Sequence, residues 1–570
     1  MSEQDYSLNS KIIGALPIVN RFIKRMDLYS IFNKHVPQLG DAKISHAEVI
    51  LVLIRSICIE RHPVYKLAEW ASPFDSKMLG LRDLESKVLN DDKVGRTIDA
   101  LFDADRATLM TEIVLKMVSE FNIDLSQLHN DSTSVTFAGR YEAPRDRRKK
   151  KALLITEGHN KDHRPDLKQL VFSLSVSRDG AVPIHFKTYD GNRTDDSTHI
   201  ETWQTLNKIS GRSDFIYVAD CKLCTQEQMG YISDRNGRFI TILPRTRSED
   251  KWFKEWIQSH HVDWQELLRR PCYRKTPLSR LGIESVSENI YWGFESPVPS
   301  REGYRIIWIM SSQRRDQDAR SRQKKIERTI EALERLKKKL GTRGKLKTQE
   351  QITEAVVDVL KKFQTVSLIK WKHVVREIED FQQEGMGRPG KTTKYIKRIK
   401  QIWGFEAMPD EGVIQRDAAE DGLFPLITNI PSTELSMKEI LQKYKYQPYL
   451  EKRHEQFKDV LDVAPVYLKL PHRVEALMFT YFVALILHAL IERETRVSMS
   501  KEKLNALPLY PEARKCKSPG TERILEIFSN QRRNELRKKE AFIKTFFDPL
   551  NSLQEQILRF LDVNASEYKR

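Results

Sequence analysis

The feature that most constrains the fold is a change of pattern near residue 121, where helical periodicity gives way to short apolar runs. From there the patterns predict a strand, a hairpin of two strands, a helix, a strand, a helix and a last strand. In chain order these patterns lie in DLSQLHNDSTSV, at 167–177, at 181–190, at 198–209, in FIYVAD (215–220), in TQEQMGYISDR and at 239–244. The tripeptide Arg178-Asp179-Gly180 between two alternating segments indicates the hairpin turn.

This order of elements is that of a ribonuclease H-like core without its last helix. A candidate for that helix appears only near 440–460, so the sequence predicts a large insertion before it. The expected fold is an α/β ribonuclease H-like core interrupted by an insertion domain, with helical N- and C-terminal regions. The expected boundaries are 1–120 for a helical N-terminal DNA-binding region, 121–245 and 431–495 for the two parts of the core, 246–430 for a mixed α/β insertion domain, and 496–570 for a basic helical C-terminal region.

Helix signals lie on both sides of the core. Ser45 and Glu48 form a capping box before an apolar run, and Asp91 with Asp92 is expected to cap a second helix. Near the C-terminus, QRRNELRKKEAF is interpreted as helical. The most apolar stretch, 476–491, is shorter than the ~20 residues that a bilayer requires, so it predicts a buried core helix rather than a membrane span.

The charge balance narrows the choice of partner. Lys and Arg number 96 against 79 Asp and Glu, which leaves a formal charge of +17. An excess of this size favours a polyanion, because each neutralised phosphate releases counterions. DNA, the ribosome and a membrane surface all remain open at this level.

The cysteines and the N-terminus indicate the compartment. Five cysteines in this length do not make a disulfide framework. Cys221 and Cys224 form a C-x-x-C, but a zinc site needs a second ligand pair, so two small residues at a strand–helix junction is the favoured interpretation. The start, MSEQDYSLNSK, has neither a basic nor an apolar signal region. A soluble, cytoplasmic protein is expected.

Two aspartates that end strand patterns are the first candidates for chemistry. Asp131 follows LHN at the end of the first strand, and Asp220 ends the apolar run FIYVA. The first and fourth strands are neighbours in the expected topology, so both carboxylates can converge on one hard cation. The alternatives are a turn at Asn130-Asp131-Ser132 and a helix N-cap at Asp220.

The third carboxylate is expected from a helix within 444–458, YKYQPYLEKRHEQFK. Tyr444 lies seven residues before Glu451, Gln447 four residues before it and Lys458 seven residues after it, offsets that share one helical face. Pro448 suits a first turn, so a helix that begins near Gln447 leaves Tyr444 in the approach. A rival carboxylate follows at Glu455, and a charged surface helix is the alternative to a catalytic one.

These residues resemble the DDE transposases of bacterial insertion sequences, and in particular the group whose catalytic helix follows Tyr-x2-Arg-x3-Glu-x6-Lys. The pattern here reads Tyr444, Gln447, Glu451 and Lys458, with Gln where the group has Arg. A glutamine cannot supply a charged bidentate fork to a phosphate. The sequences at 158–170 and 421–429 also resemble those of a subgroup of these transposases that has Gln-Pro before the glutamate. The resemblance spans roughly 120–245 and 415–495.

The resemblance implies an endonuclease and polynucleotidyl transferase that cuts DNA at insertion-sequence ends and joins those ends to target DNA, as in cut-and-paste transposition. Asp131, Asp220 and Glu451 would hold two Mg²⁺ ions, with Mn²⁺ as a substitute. One ion would activate a water or a 3′-hydroxyl, and the other would stabilise the leaving oxygen. Tyr444, Gln447 and Lys458 would contact the DNA backbone.

The resemblance also implies the partners and the compartment. Double-stranded DNA at terminal inverted repeats and at the target, a homodimer on that DNA and a nucleoid-associated location in the cytoplasm are expected, with no membrane. Three alternatives remain. One is a metal-dependent nuclease on the same fold that cuts without strand transfer, and another is a catalytically silent DNA-binding regulator. The third is a P-loop ATPase that acts on DNA, based on the motif at 385–392.

A further motif raises the question of nucleotide binding. Residues 385–392, GMGRPGKT, match the P-loop pattern G-x-x-x-x-G-K-[ST], whose physics requires a buried strand before it and a helix after it. The preceding KHVVREIEDFQQE is charged and helical in period, which argues against nucleotide binding. A flexible basic loop that tracks DNA phosphates is favoured. Its expected contacts are Arg388, Lys391, Lys394, Lys397 and Arg398.

Overall fold

The structure is a computed structural model of the chain. It describes all residues except 1–5, 39, 82–84, 142–145, 149, 159–165, 194–197, 274–285, 341–345, 347, 462, 464–466, 540 and 570. The chain forms two compact units, of which the first comprises Met1–Thr241 with Lys443–Arg570 and the second comprises Ile242–Gln442. The second unit occupies the part of the chain where the sequence predicts an insertion. The N-terminal region belongs to the first unit, together with the predicted core strands.

The fold is mixed α/β. The helices of the described chain are α1 (Leu16–Arg25), α2 (Leu28–His35), α3 (His46–Ile59), α4 (Leu67–Ala71), α5 (Asp91–Asp103), α6 (Arg106–Phe121), α7 (His199–Ser210), α8 (Gln226–Ser233), α9 (Ser248–Trp256), α10 (Ser312–Lys337), α11 (Gln349–Lys362), α12 (Glu411–Ala418), α13 (Met437–Tyr444), α14 (Gln447–Glu455), α15 (Pro471–Lys501), α16 (Thr521–Glu526) and α17 (Ser552–Phe560). The strands are β1 (Tyr6–Ile12), β2 (Gln127–Phe137), β3 (Asp146–Arg147), β4 (Lys150–Lys151), β5 (Lys168–Ser177), β6 (Pro183–Tyr189), β7 (Ile216–Val218), β8 (Arg238–Ile242), β9 (Gln265–Tyr273), β10 (Val286–Glu295), β11 (Arg305–Ser311), β12 (Ile369–Gln383), β13 (Tyr395–Pro409), β14 (Leu423–Thr428), β15 (Arg532–Lys538) and β16 (Ala541–Phe547).

The central sheet of the first unit has the strand order β6-β5-β2-β7-β8. β5 runs antiparallel to β2 and to β6, whereas β7 runs parallel to β2 and to β8. The β2–β7 ladder ends where His129 pairs with Val218, while the β2–β5 ladder continues to Phe137. The sheet therefore opens on one side of β2, directly after His129.

The β5–β6 hairpin forms where the sequence predicts it. β5 ends at Ser177 and β6 begins at Pro183, and the turn between them places Gly180 (φ 75) and Ala181 (φ 52) in the left-handed region. Asp179 in the same turn is held by two hydrogen bonds from the Arg493 guanidinium on α15, at 2.9 and 2.7 Å. The turn is therefore fixed to the core helix.

The core helix is α15, which contains the predicted buried stretch 476–491. It is long and apolar enough to cross a membrane, but 94% of its most apolar 18-residue window is buried inside the protein. α3 and α5 from the N-terminal region pack against it. The prediction of a buried core helix is confirmed.

The N-terminal helix signals are confirmed in one case and corrected in the other. Both halves of the capping box of α3 are present, because the Ser45 hydroxyl accepts from the Glu48 amide at 3.1 Å and the Glu48 carboxylate accepts from the Ser45 amide at 2.7 Å. α5 is capped by Asn90, whose side chain accepts from the Lys93 amide at 2.9 Å. The predicted caps of this helix, residues 91 and 92, lie in its first turn, where their charges favour the helix dipole instead.

The prediction of a wholly helical C-terminal region is wrong. QRRNELRKKEAF contains β15 and the start of β16, which form a three-stranded antiparallel sheet in the order β1-β15-β16. The N-terminal region likewise contains a strand, β1, that pairs from Tyr6 with Lys538 to Ile12 with Arg532. This pairing joins the two ends of the chain, so the partner that makes the segment a strand lies outside any local window.

The second unit contains the strand order β14-β11-β10-β9 and the helices α9 to α13. α10 and α11 pack against each other and against the base of a long antiparallel ribbon, β12–β13. The buried cluster that joins them comprises Ile326, Leu333, Leu336, Ile352, Val356, Leu360, Leu368, Ile369 and Phe405. The ribbon corrects the sequence reading of KHVVREIEDFQQE as helical, because this segment is the greater part of β12.

Candidate active site

Asp131 lies in β2 and Asp220 lies two residues after the end of the adjacent parallel strand β7, at the corresponding position along the two strands. The last register pair between β2 and β7 joins His129 to Val218, and each aspartate follows its strand's member of that pair by two residues. The backbone of Asp220 is still extended, with φ −71 and ψ −176. Since neighbouring strands are about 4.8 Å apart, the two aspartates are near neighbours at the end of β7. Both stay accessible, with side-chain exposures of 19% for Asp131 and 40% for Asp220.

The position of Asp131 along its own strand differs from the prediction. β2 continues six residues past it to Phe137, so Asp131 lies inside a strand and neither at a strand end nor in a turn. The opening beside it arises because β7 stops at Val218, while β5 stays paired with β2 and places Leu174 opposite Asp131. One carboxylate oxygen accepts the amide of Ser132 at 2.8 Å. The gap in the sheet, rather than the end of β2, exposes this carboxylate.

Asp220 fits both interpretations that the sequence left open. Its side chain caps the short 3-10 helix Cys221–Leu223 by accepting the Lys222 amide at 3.1 Å. Its backbone carbonyl accepts a hydrogen bond from the Thr241 hydroxyl of β8. An N-cap uses one hydrogen bond to one of the two carboxylate oxygens, so capping does not by itself prevent a carboxylate from ligating a cation. Capping and ligation are therefore compatible at this residue.

Two buried histidines that the sequence pattern does not predict as site residues flank the aspartates. His454 Nε2 lies 3.9 Å from a carboxylate oxygen of Asp131, and His199 Nε2 lies 3.8 Å from one of Asp220. The side chain of His454 is 8% exposed and that of His199 is 3% exposed. Each ring, when protonated, faces a carboxylate with positive charge. Helical spacing from Gln447 could have placed His454 on the buried face, but no local signal marks His199.

The helix that carries Glu451 begins at Gln447, with Pro448 in its first turn, as the sequence predicts. The Gln447 side chain is not in solvent, because it is 8% exposed and forms a 3.1 Å hydrogen bond with the His129 ring. This hydrogen bond attaches the first turn of α14 to β2. A DNA contact by Gln447 stays a prediction, and in this conformation the amide faces the sheet.

Glu451 and its rival Glu455 are both exposed on α14. The buried residues of the helix are Gln447, Leu450, Arg453 and His454, and Glu451 lies next to the edge formed by Gln447 and His454, at the offsets +4 and −3. Across the described residues, no three His, Cys, Asp or Glu side chains are close enough together to hold a metal ion. The structure thus brings Asp131 and Asp220 together and places the helix of Glu451 over β2, without joining Glu451 to a three-ligand group.

The two outer residues of the family pattern lie outside α14. Tyr444 ends the preceding helix α13, as expected if the next helix begins at Gln447. Lys458 lies in a π-helical turn, Gln456–Val460, that continues α14. The offset of seven residues puts Lys458 on the same face as Glu451 only in a regular α-helix. Because a π-turn has a different angle per residue, this offset does not place Lys458 on that face here.

The predicted basic loop of the second unit is a turn and part of a strand. Residues 384–394 form the tip of the β12–β13 ribbon, and they carry Arg388, Lys391 and Lys394. Lys397 and Arg398 lie in β13, which corrects their assignment to a loop. Because a strand follows GMGRPGKT, the motif lacks the helix that a phosphate-binding P-loop requires.

The cations of the ribbon fall into two sets. In the stem, Lys397 pairs with Glu379 and Lys400 with Asp380 across the two strands. The tip cations Arg388, Lys391 and Lys394 are exposed and lie on the turn. Cross-strand ion pairs on a surface stabilise the stem only weakly, but they reduce the positive field of Lys397 and Lys400.

Comparison with known proteins gives one family match and no relative. A domain of unknown function (DUF4277) matches residues 8–115, which lie in the N-terminal part of the first unit. No curated protein has a matching sequence. Residues 159–165, part of the stretch that resembles transposase text, lie outside the described residues.

Two solved structures to which the chain is similar are transposase complexes with DNA. One is a cryo-EM structure of the piggyBac transposase synaptic complex with hairpin DNA, at 11% identity and a TM-score of 0.25, covering 54% of this chain and 63% of that chain. The chain thus spans less than two thirds of that protein. The other is the Mos1 transposase paired-end complex with the left transposon end, at 11% identity and a TM-score of 0.14, covering 39% and 74%. At these TM-scores neither likeness carries an argument.

Proposed function

We propose that this chain is a DNA transposase of the DDE type, an endonuclease and polynucleotidyl transferase that acts by cut-and-paste transposition. The strand order β6-β5-β2-β7-β8, with an antiparallel half and a parallel half that meet at β2, supports a ribonuclease H-like core. In the proposed arrangement the second unit is the insertion domain between the fifth strand and the catalytic helix. The N-terminal region would recognise the ends of the element.

The observation that carries the proposal is the level placement of Asp131 and Asp220 at the end of β7, with α14 lying over β2. Two accessible carboxylates on neighbouring strands are an all-oxygen donor set, which suits Mg²⁺ or Mn²⁺. In the proposal Asp131, Asp220 and Glu451 hold two such ions. When bound, the ions would supply activation of the attacking oxygen and charge stabilisation at the leaving oxygen.

The remaining residues of the proposed site bind and orient DNA. Lys458 and Tyr444, on either side of α14, contact the backbone phosphate next to the scissile bond. The ribbon tip around Lys391 contacts the backbone elsewhere, with Lys397 and Arg398 along its stem. The formal charge of +17 supports a partner of dense negative charge. Two ends must be held together for transposition, so the proposed assembly is a homodimer on DNA in the cytoplasm.

The test is metal-dependent nicking of a supercoiled plasmid that carries the DNA flanking the gene. Asp131→Ala, Asp220→Ala and Glu451→Ala should each lower Mg²⁺-dependent nicking by at least about 1,000-fold, as the loss of a metal ligand in a two-metal site does. DNA binding in a gel-shift assay should survive. Glu227→Ala, an exposed carboxylate on α8, is the control and should nick normally.

Strand transfer decides between the proposed transposase and a nuclease on the same fold. Pre-cleaved ends with free 3′-hydroxyls should join to a second plasmid in the presence of Mg²⁺. Nicking without joining would favour the nuclease. If the wild-type chain and Asp131→Ala bind DNA equally but neither cuts it, the proposal fails and a silent DNA-binding regulator remains.

A further inference from the structure

Arg453 is a buried arginine on α14 whose donors are engaged by three separate parts of the first unit. Its side chain is 3% exposed. Nε donates to the Ala181 carbonyl at 3.0 Å, and one terminal nitrogen donates to the Gly180 carbonyl at 2.9 Å. The same terminal nitrogen lies 2.9 Å from a carboxylate oxygen of Glu492. The other terminal nitrogen donates to the Gln456 side chain at 2.6 Å.

These acceptors tie three elements to one guanidinium. Gly180 and Ala181 belong to the left-handed turn between β5 and β6, and Glu492 belongs to α15, with 2% of its side chain exposed. Burial alone would raise the pKa of Glu492, but the adjacent Arg453 and Arg496 guanidiniums outweigh it and leave the pKa below its ordinary value. The pair is therefore a charged, desolvated bridge between α14 and α15.

The bridge acts on the part of α14 that faces the aspartates. Arg453 is two residues after Glu451, so its side chain leaves the helix about 200° away, on the opposite side. The first turn of α14 is held independently by Gln447 on His129. These two attachments oppose rotation of the helix about its axis, and such a rotation would change the position of the Glu451 carboxylate relative to β2.

Through its contact with Gln456, Arg453 also fixes the π-helical turn that follows α14. Gln456 begins the π-helical turn that carries Lys458, and its side chain also donates to Glu522 at 2.8 Å. Arg453 therefore fixes the junction between the α-helical segment of Glu451 and the π-turn of Lys458. A lysine at this position could not replace it, because one ammonium cannot match a planar fork that meets acceptors in three directions.

We propose that Arg453 is a positioning residue for DNA cleavage: its bridge from the β5–β6 turn to Glu492 sets the rotation of α14 and so the placement of Glu451 and Lys458. This inference rests on the proposed transposase function. It concerns a residue outside the Tyr-Gln-Glu-Lys pattern, and it assigns Arg453 no contact with DNA or metal.

The experiment uses the full chain and two matched pairs of variants. Arg453→Lys keeps the charge, and Arg453→Met with Glu492→Met removes both charges so that neither is left buried alone. The controls are Arg106→Lys and the double variant Arg106→Met with Glu475→Met, at a part-buried ion pair between α6 and α15 that does not involve α14. All four are compared for melting temperature, gel-shift affinity for DNA, plasmid nicking and binding of Mn²⁺ alone, followed by the loss of the free-ion EPR signal.

Both Arg453 variants should nick about 10- to 100-fold more slowly at saturating DNA, because a displacement of about 1 Å has effects of that size. Their Mn²⁺ affinity should fall at least fivefold, and their KM for DNA should stay within twofold. The Arg106 variants should melt lower by a similar margin yet keep wild-type nicking and Mn²⁺ binding.

Two outcomes overturn the inference, and they can be told apart from failure of the proposed function. Wild-type Mn²⁺ affinity and nicking in the Arg453→Met, Glu492→Met protein would show that the bridge positions nothing. Equal losses in the Arg106 variants would show that it contributes only to stability. If Asp131→Ala and Glu451→Ala themselves leave nicking and Mn²⁺ binding unchanged, the proposed function has failed and Arg453 has no site to position.

Discussion

His129 of β2 and Gln447 of α14 are joined by a 3.1 Å hydrogen bond inside the interface between sheet and helix. The His129 side chain is fully buried, and its other ring nitrogen lies 2.7 Å from the Gln127 amide. These hydrogen-bonded side chains attach the first turn of α14 to β2 at His129, which lies two residues before Asp131 in the strand. This arrangement also explains how a neutral glutamine fits a position where the resembled transposases carry arginine.

Restoring the arginine should therefore harm the protein. Gln447→Arg would place a charged group in a buried site whose hydrogen-bond partner is the neutral His129 imidazole, and we expect the free energy of unfolding to fall by about 2–4 kcal/mol. DNA affinity should not rise. Gln204→Arg on the exposed face of α7 is the control and should stay within about 0.5 kcal/mol. Denaturant unfolding and gel-shift titration measure both quantities, and tighter DNA binding at unchanged stability would contradict the expectation.

Stability should depend on pH through the same histidine. Burial lowers the pKa of His129 from 6.5 to about 4. Between these values the unfolded chain binds more protons than the folded one, so stability is full above pH 6.5 and is lost as the pH falls towards 4. The loss from pH 7 to pH 5 is about 2 kcal/mol for this group. Urea denaturation of His129→Gln should show a correspondingly smaller loss over that window.

Burial also lowers the pKa of a second histidine, His185, so the predicted pH dependence of stability can be tested at two sites. The pKa of His185 falls to about 4, and its ring is likewise fully desolvated in β6. His129→Gln should therefore remove about 2 kcal/mol of the loss between pH 7 and pH 5, and His185→Gln should remove a similar amount. Part of the loss remains in either variant, because burial also lowers the pKa of His46 to about 4. If neither substitution changes the slope, the two rings are not the groups that titrate.

The choice between the two exposed glutamates of α14 can be made by substitution. Glu451→Gln should lower plasmid nicking by at least about 100-fold, whereas Glu455→Gln should stay within threefold. The reason is angular, because Glu451 adjoins the helix side that carries Gln447 and His454, and Glu455 lies about 40° further round. Loss of nicking in Glu455→Gln alone would mean that the helix acts in a different register.

The two sets of ribbon cations should differ in their effect on DNA binding. Arg388→Ala, Lys391→Ala and Lys394→Ala should each weaken binding and lower the slope of log affinity against log salt by about 0.9. Lys397→Ala should do less, since Lys397 is paired with Glu379 in the stem. Affinities measured from 50 to 200 mM salt test this. Equal slopes for all four variants would show that the ion pair opens on DNA.

The local sequence pattern is sufficient to predict the structure of a segment wherever residues within that segment determine it. The capping box at Ser45 and Glu48, the hairpin turn at Gly180 and the start of α14 at Gln447 were all readable, because capping, left-handed turns and first-turn proline act within a few residues. The buried helix α15 was readable from its composition alone.

Charged segments were misread where a distant partner overrides helical propensity. KHVVREIEDFQQE and QRRNELRKKEAF both have a helical period, yet they form β12 and β15. β12 pairs with β13 along its whole length, and β15 pairs with β1 from the other end of the chain. Strand formation depends on such cross-strand neighbours more than on the segment itself.

The sequence by itself determined which carboxylates are candidates, which helix carries Glu451 and where the polar and apolar segments alternate. Only the tertiary structure decided that His129 pairs with Val218, which sets Asp131 level with Asp220, and that Arg453 meets the β5–β6 turn and Glu492. The physical reason is that strand register and buried polar bridges depend on the free energy of bringing distant segments together, and no local period along the chain encodes that energy.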